Sequence, residues 1–211
     1  MPSIQPNSLI VVTGITGYIA SHVALLAMRE GHRVRGTVRP SSLAKADQLR
    51  DAFIKEGIAA EFLEENLELF PVDNDDFFSE EIWHRVFKDA DGIEHIAWPI
   101  DGGLMDSAII KKGVDSTMIL LRIAAQIPTV KRFVLTSSTF AAYMPPGHRE
   151  KVITVEDWND AAVDIMYKQE LLSVDSMTKK AGPLDAYAAS KVLAEKAAWD
   201  FVDANKVGIF L

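Results

Sequence analysis

Short apolar runs alternate with longer segments of helical period along most of this chain, and this alternation limits the folds open to it. The pattern predicts strands at 9–12, 34–38, 67–72, 93–97 and 133–136. It predicts helices at 18–30, 43–56, 77–87, within 105–127, and at 185–204. Strands that alternate with helices form right-handed βαβ units around a parallel sheet. The predicted fold class is α/β, a doubly wound parallel sheet with helices on both faces.

Two parts of the chain depart from this pattern. Between residues 141 and 183 no clean period is present, and Pro145-Pro146-Gly147 marks a loop, so we predict a long irregular excursion. The last residues, 207–211, look like the opening of a sixth strand. We therefore expect one domain over residues 1–211, truncated near the start of that strand. In the first helix, we expect Val23, Leu26 and Ala27 to face inward.

Composition excludes several classes of function. A net charge of -8 argues against nucleic-acid or anionic-membrane partners, which need clustered Lys and Arg. The chain has no cysteine, and its five histidines are scattered without metal-ligand spacing, so we predict no metal site. The first residues lack a signal-peptide pattern, and no stretch reaches the length of a membrane span. We expect a soluble, cytoplasmic protein.

Directly after the first strand comes the segment Thr13-Gly14-Ile15-Thr16-Gly17-Tyr18-Ile19-Ala20. Gly14 allows a sharp turn, Gly17 allows close backbone approach, and Ala20 allows tight packing of helix on strand. The following helix directs its free N–H groups at an anion. This is the dinucleotide-binding arrangement of the Rossmann fold, with G-x-x-G-x-x-A spacing.

The end of the second strand indicates which dinucleotide binds. An NAD site usually carries an acid there, at the ribose 2′-hydroxyl. Here the strand ends in Arg39, and Lys45 follows six residues later. A guanidinium suits a 2′-phosphate by charge and by geometry. The sequence therefore favours NADP(H) over NAD(H).

Near the end of the chain, Tyr187 and Lys191 lie four residues apart in a predicted helix. Residues at this spacing share a helix face, so the Lys191 charge can lie beside the Tyr187 hydroxyl. A neighbouring cation favours the phenolate form, and a phenol tuned in this way can act as a general acid near neutral pH.

Three motifs in order resemble the extended short-chain dehydrogenase/reductases: the glycine turn, Leu135-Thr136-Ser137-Ser138, and Tyr187-Ala188-Ala189-Ser190-Lys191. Residues 33–39, 156–159 and 193–199 narrow the resemblance to the branch with dihydroflavonol reductases, cinnamoyl-CoA reductases and fungal aldehyde or methylglyoxal reductases. The resemblance covers the chain from about Ser8 to its end. It departs from the family at Asn74, in place of an apolar residue, and at Trp98-Pro99, in place of small residues.

The resemblance implies reduction of a small-molecule carbonyl with NADP(H) through a Ser-Tyr-Lys site. Its catalytic residues would be Ser138, with Ser137 left open, Tyr187 and Lys191. Its cofactor residues would be Gly14, Ile15, Thr16, Gly17, Tyr18 and Ile19 at the pyrophosphate, Arg39 and Lys45 at the 2′-phosphate, Asp73 and Asn74 at the adenine, Ala97 beneath the cofactor, and Tyr187 and Lys191 at the nicotinamide.

Two other functions stay open. Relatives of this type continue through further strands and a substrate lobe, so the chain could be a non-catalytic NADP(H)-binding fragment without that lobe. The second alternative is an NAD-dependent sugar-nucleotide epimerase or dehydratase, against which Arg39 argues. A homodimer formed through the two long helices, which begin near residues 105 and 185, is expected by analogy alone.

Overall fold

The computed structural model describes residues 4–74, 76–99, 107–144, 152–171 and 181–205. The predicted loop at 145–147 and the predicted strand at 207–211 lie outside the described residues. The described chain divides into two compact units. The first, here called the sheet unit, takes the described parts of Met1–Ala97, Ile119–Thr136 and Asn205–Leu211. The second, here called the helical unit, takes those of Trp98–Met118 and Ser137–Ala204.

The sheet unit contains a five-stranded parallel sheet in the order β3-β2-β1-β4-β5. Its strands are β1 (Leu9–Val12), β2 (Arg33–Val38), β3 (Leu67–Pro71), β4 (Gly92–His95) and β5 (Arg132–Leu135). Strand order reverses at β1, where Val12 pairs with Gly36 on one side and with Glu94 on the other. Such a reversal defines the crevice of a doubly wound sheet at the carboxyl ends of the strands. The predicted α/β class is confirmed.

Eight α-helices lie within the described residues: α1 (Tyr18–Arg29), α2 (Leu43–Lys55), α3 (Ala60–Asn66), α4 (Glu80–Val86), α5 (Ala108–Gln126), α6 (Thr139–Ala142), α7 (Asp160–Leu171) and α8 (Pro183–Asn205). Short 3₁₀ turns occupy Pro40–Ser42 and Asp76–Phe78. The sequence pattern missed α3. None of the helices within the described residues has the length and the apolar composition that a membrane crossing requires.

Helix α7 corrects the prediction of an irregular region. Its period is weak because it buries little of its surface: Ala162 is fully buried, whereas Val163 and Met166 are only partly covered. A tertiary anchor fixes its start. Asn159 donates its backbone N–H to the Ala141 carbonyl (2.8 Å) and its side-chain amide to the Phe140 carbonyl (2.9 Å).

The two units have different cores. The sheet unit has a cluster of mainly branched and aromatic side chains, including Ile10, Val12, Ile15, Leu25, Met28, Val34, Phe53 and Leu63. In α1, Val23 and Ala27 pack against this cluster as expected, but Leu26 is 58% exposed, so its predicted inward position was wrong. Leu25 and Met28 take the core positions instead. A cluster in the helical unit consists of small residues, Ala162, Ala188 and Ala189.

Candidate active site

Backbone hydrogen bonds to β2 hold the glycine turn in the sheet unit. Gly14 has φ +68°, in the left-handed region that glycine adopts readily. Its N–H donates to Thr37 Oγ1 (2.9 Å), and the Ile15 N–H donates to the Thr37 carbonyl (3.0 Å). The Gly17 N–H then donates to the Gly14 carbonyl (2.8 Å). The turn is thus closed on itself and tied to the end of β2.

Two glycines are required here by close approach. A Cβ at Gly14 would lie 3.1 Å from the Cβ of Ala97, two residues after the end of β4. A Cβ at Gly36 would lie 2.4 Å from Cδ1 of Ile15, whose side chain fills that space and is fully buried. Ile15 therefore offers a ligand only its backbone. The structure brings Gly14, Ile15 and Ala97 together at the reversal point of the sheet.

Thr13 links this turn to β4. Its Oγ1 accepts hydrogen bonds from the N–H groups of Ile96 and Ala97, both at 2.9 Å. It also lies 3.2 Å from Nδ1 of buried His95. Because the hydroxyl oxygen already accepts twice, its own proton is the one available to donate to Nδ1.

Sequence reasoning assigned no role to Thr13, Thr37 or Gly36. A glycine inside a strand marks a close backbone approach, so Gly36 carried a usable signal. The two threonines carried none, since threonine is ordinary in strands.

The start of α1 fits a pyrophosphate. Gly17 is its N-cap residue and supplies no side-chain hydrogen bond, so the first-turn N–H groups are left without a side-chain cap. Around them Thr16 is partly buried, while Tyr18 (84% exposed) and Ile19 (54% exposed) point away from the core. Uncapped N–H groups, a positive helix end and glycines that leave space for a ligand are what an anion needs.

The remaining predicted cofactor residues lie on the surface of the sheet unit. Arg39 follows the last residue of β2, and Lys45 lies in the first turn of α2; both are exposed. A cation in the first turn of a helix opposes the helix dipole, so Lys45 gains from a nearby anion. Asp73 and Asn74 follow β3 and are exposed, with Asp73 Oδ1 accepting the Asn74 N–H (2.7 Å).

In the helical unit, α8 carries Tyr187 and Lys191 as predicted. Lys191 is only 4% exposed, and its Nζ lies 6.0 Å from the centroid of the Tyr187 ring. Tyr187 is partly buried and meets Phe140 edge-on, with ring centroids 6.3 Å apart. The α8 backbone is held locally by Ser190, whose hydroxyl donates to the Tyr187 carbonyl (2.7 Å).

The surroundings of Lys191 are unusual for a lysine. Its Nζ lies 3.5 Å from the centroid of the Trp98 ring. Burial lowers the pKa of the Lys191 ammonium to about 7, and the Glu195 carboxylate, one turn further along α8, opposes this shift. The group is therefore close to the midpoint of its titration at neutral pH, and its charge depends on its immediate contacts.

The two adjacent serines have different partners. The Ser137 hydroxyl donates a short hydrogen bond to Oε2 of Glu195. Ser138 is the N-cap of α6, and its Oγ accepts the Phe140 N–H (3.2 Å). Because Ser138 Oγ acts here as an acceptor, its own proton remains available to a substrate oxygen. Phe140 contacts both predicted catalytic residues, Ser138 through its N–H and Tyr187 through its ring.

A cavity of about 370 Å³ in the helical unit is lined by residues of α5, α7 and α8, among them Ile110, Met166 and Leu193. None of the predicted catalytic residues lines it. We therefore do not assign it to the substrate.

Comparisons with known proteins identify the family of this chain. A family model of NAD-binding domains described as "Male sterility protein" matches residues 12–210. The chain is 34% identical over 198 residues to the NAD-dependent epimerase/dehydratase terH of Aspergillus terreus, covering 94% of this chain and 54% of that protein. It is 35% identical over 202 residues to aldehyde reductase 2 of Sporidiobolus salmonicolor, covering 95% and 54%.

Among solved structures, the yeast methylglyoxal/isovaleraldehyde reductase Gre2 complexed with NADPH superposes with a TM-score of 0.69 at 26% identity, covering 95% of this chain and 54% of that one. The chain spans about half the length of the curated relatives it matches. The family resemblance read from the motifs is confirmed. The chain belongs to the male sterility protein family of NAD-binding domains, within the extended short-chain dehydrogenase/reductases.

Proposed function

We propose that this protein is an NADPH-dependent oxidoreductase that reduces the carbonyl group of a small aldehyde or ketone to an alcohol. The observation that carries the proposal is the pair on α8, a partly exposed phenol one helical turn from a buried lysine. The names of relatives, aldehyde reductase 2 and the yeast methylglyoxal/isovaleraldehyde reductase, support the same reaction class.

Residues of the helical unit carry out the proton transfer of the proposed reaction. The Tyr187 hydroxyl donates its proton to the carbonyl oxygen as that oxygen becomes an alkoxide. The Ser138 hydroxyl donates a hydrogen bond to the same oxygen, which its role as acceptor from Phe140 leaves it free to do. Lys191 stabilises the Tyr187 phenolate that proton transfer leaves behind, and only its charged form does so.

The cofactor side belongs to the sheet unit. NADPH, when bound, supplies the hydride that completes the alcohol. The uncapped start of α1 and the backbone of Gly14, Ile15, Thr16 and Gly17 would hold its pyrophosphate, with Tyr18 and Ile19 flanking it. Asp73 and Asn74 would border the adenine, and Ala97 would lie beneath the cofactor. By family resemblance, Tyr187 and Lys191 would border the nicotinamide ribose.

The choice of NADPH over NADH depends on Arg39 and Lys45. Both side chains are exposed, and neither forms an ion pair with another described residue. At the end of β2, where an NAD site usually carries an acid, this chain has Arg39. A 2′-phosphate would give both cations a partner.

A cofactor titration tests the proposal. We expect NADPH to bind more tightly than NADH, and Arg39→Ala to weaken NADPH about 10- to 100-fold, since a hydrogen bond to a charged group contributes roughly 1.5–3 kcal/mol. NADH binding should change little in that variant. Lys55→Ala, which removes an exposed lysine at the far end of α2, is the control. Equal or tighter binding of NADH to the unaltered protein would refute the assignment.

A panel of small aldehydes and ketones, followed by NADPH oxidation, tests the chemistry. Turnover of nucleotide sugars with NAD instead would favour the epimerase/dehydratase alternative, which the name of the Aspergillus terreus relative keeps open. Cofactor binding without turnover of any substrate would favour a binding module. The cytoplasmic location and the homodimer stay predictions, which cell fractionation and light scattering test.

A further inference from the structure

We propose that Trp98 is a positioning residue that holds the Lys191 ammonium against its indole face, and that Gly113 is glycine because the indole occupies the space of its side chain. The inference builds on the proposed function, since Lys191 is the residue that stabilises the Tyr187 phenolate there. All three residues belong to the helical unit.

The first step is the contact between Trp98 and Lys191. An Nζ at 3.5 Å from the ring centroid lies within the distance at which a cation is attracted by the negative face of an aromatic ring, and Trp is the strongest partner for this interaction. The interaction gains strength where water is excluded, and Lys191 is only 4% exposed. The Tyr187 ring, at 6.0 Å, is at the outer limit of the same interaction. Trp98 is therefore the nearer aromatic partner of the charge.

The second step is the space for the indole. Gly113 lies inside α5, where glycine lowers helix stability. A Cβ at this position would come 2.5 Å from Cζ2 of Trp98 and 3.1 Å from Cη2. An indole is rigid, so it could accept that Cβ only by moving as a whole. Nε1 of Trp98 is buried without a hydrogen-bond partner among the described residues, so packing and the Lys191 contact orient the ring.

The third step is what this contact does to the lysine. Burial disfavours the charged form of Lys191, whereas the Glu195 carboxylate favours it. Trp98 acts in the same direction as Glu195, because the ring attracts the ammonium and not the neutral amine. Ser137 holds Glu195 in place through its hydrogen bond. Trp98 and Glu195 together keep Lys191 protonated enough to stabilise a phenolate at neutral pH.

The test measures the pKa of Lys191 by NMR in the full chain labelled with ¹³C-lysine, with Lys191→Met to assign its signal. Removing the ring with Trp98→Leu should lower the pKa by about one, whereas Trp98→Phe should nearly preserve it. Glu195→Gln is the positive control and should lower the pKa in every background. Thermal melts of each variant report folding separately.

Gly113 supplies the matched double-mutant cycle. Gly113→Ala should lower the pKa of Lys191 when Trp98 is present, because the added methyl displaces the indole. In the Trp98→Phe background it should not, because phenylalanine lacks the atoms that crowd this position. An unchanged pKa in both Trp98→Leu and Gly113→Ala, even with a lower melting temperature, would show that Trp98 is packing only and overturn the proposal.

Activity assays keep this inference separate from the proposed reaction. If Trp98→Leu lowers the pKa of Lys191 but the unaltered protein reduces no carbonyl compound, the positioning role stands and the proposed function fails. If the protein is an active reductase but the pKa of Lys191 does not change in Trp98→Leu, the proposed function stands and the positioning role fails. If the proposed function and the positioning role both stand, Trp98→Leu should lower kcat more than it raises KM. The loss of kcat should become smaller as pH falls, because Lys191 then becomes protonated.

Discussion

In the glycine turn of the sheet unit the predicted cofactor residues present their backbones, whereas on α8 of the helical unit the predicted catalytic residues present their side chains. Gly14, Ile15 and Gly17 form the turn through main-chain hydrogen bonds, and the Ile15 side chain is committed to the core. In the proposed function Tyr187 and Lys191, by contrast, act through a phenol and an ammonium. Substitutions in the glycine turn should therefore act through packing, and substitutions of Tyr187 or Lys191 through chemistry.

The same contrast extends to the buried ionisable groups. Burial raises the pKa of the Glu94 carboxyl in β4 to about 7, and Arg132 on the neighbouring strand opposes the shift. Burial lowers the pKa of Lys191 to about 7. Both pKa shifts favour the neutral form for the same reason, the loss of water around the charge. Of these two groups, Lys191 is the one that lies beside the proposed proton donor, Tyr187.

The largest effect is expected from Tyr187→Phe. Loss of the hydroxyl removes the proton donor, and general acid catalysis contributes about 100- to 10,000-fold to rate, so kcat should fall by a factor in that range. NADPH affinity and melting temperature should hardly change, since the ring contact with Phe140 survives. Steady-state rates at saturating NADPH measure the change in kcat. Tyr167→Phe, on the exposed surface of α7, is the control and should be neutral. Turnover within tenfold of the unaltered protein would remove Tyr187 from the proposed role.

A smaller effect of a different kind is expected from Gly36→Ala. The new Cβ would lie 2.4 Å from Ile15 Cδ1, and overpacking of a core typically costs about 1–3 kcal/mol. Because Ile15 belongs to the turn, NADPH affinity should fall together with the free energy of unfolding. Urea unfolding and cofactor titration measure the two.

Gly57→Ala is the matched comparison for that variant. Gly57 has φ +92° and nothing within 4 Å of its Cβ position, so alanine there reports backbone strain without a clash. It should reduce stability but leave NADPH binding intact. If Gly36→Ala also left binding intact, the turn would not depend on the packing of Ile15.

The smallest effect is expected from Glu94→Gln. The folded protein holds the Glu94 proton up to about pH 7, while the unfolded chain releases it near pH 4.5. This contribution to stability is complete below pH 4.5 and is lost as pH rises through 7. Glutamine should abolish that loss, because a neutral amide has no proton to release across this pH range. Urea unfolding at pH 5 and pH 8 measures it.

Lys191 should make the free energy of unfolding change with pH in the opposite direction. Lys191→Met is therefore the counterpart of Glu94→Gln. Its folded pKa of about 7 lies below the usual 10.5, so the unfolded chain binds more protons between these values and stability rises with pH across that window. Methionine should remove this rise. Equal slopes before and after either substitution would mean that the group titrates normally in the folded protein.

The strands and the long helices could be predicted because their hydrophobic periods are strong. The predicted strands 9–12 and 34–38 match β1 and β2 within one residue, and the Tyr187 helix is α8. Helix α7 could not be predicted, because its start depends on the hydrogen bonds of Asn159 to Phe140 and Ala141, eighteen or more residues away. An aromatic side chain likewise does not by itself indicate burial: Trp83 and Phe87 are fully buried, whereas Phe78 is exposed.

The sequence by itself determined the parallel α/β fold, the glycine turn after β1 and the Tyr-Lys pair, because each follows from local spacing along the chain. Tertiary structure alone decided the environment of these residues: the threonines that fix the turn, the serine committed to Glu195, and the aromatic ring against Lys191. The physical reason is that burial and contact depend on residues far apart in sequence. A local pattern fixes which groups are present, and packing fixes the charge and the partner that each of them has.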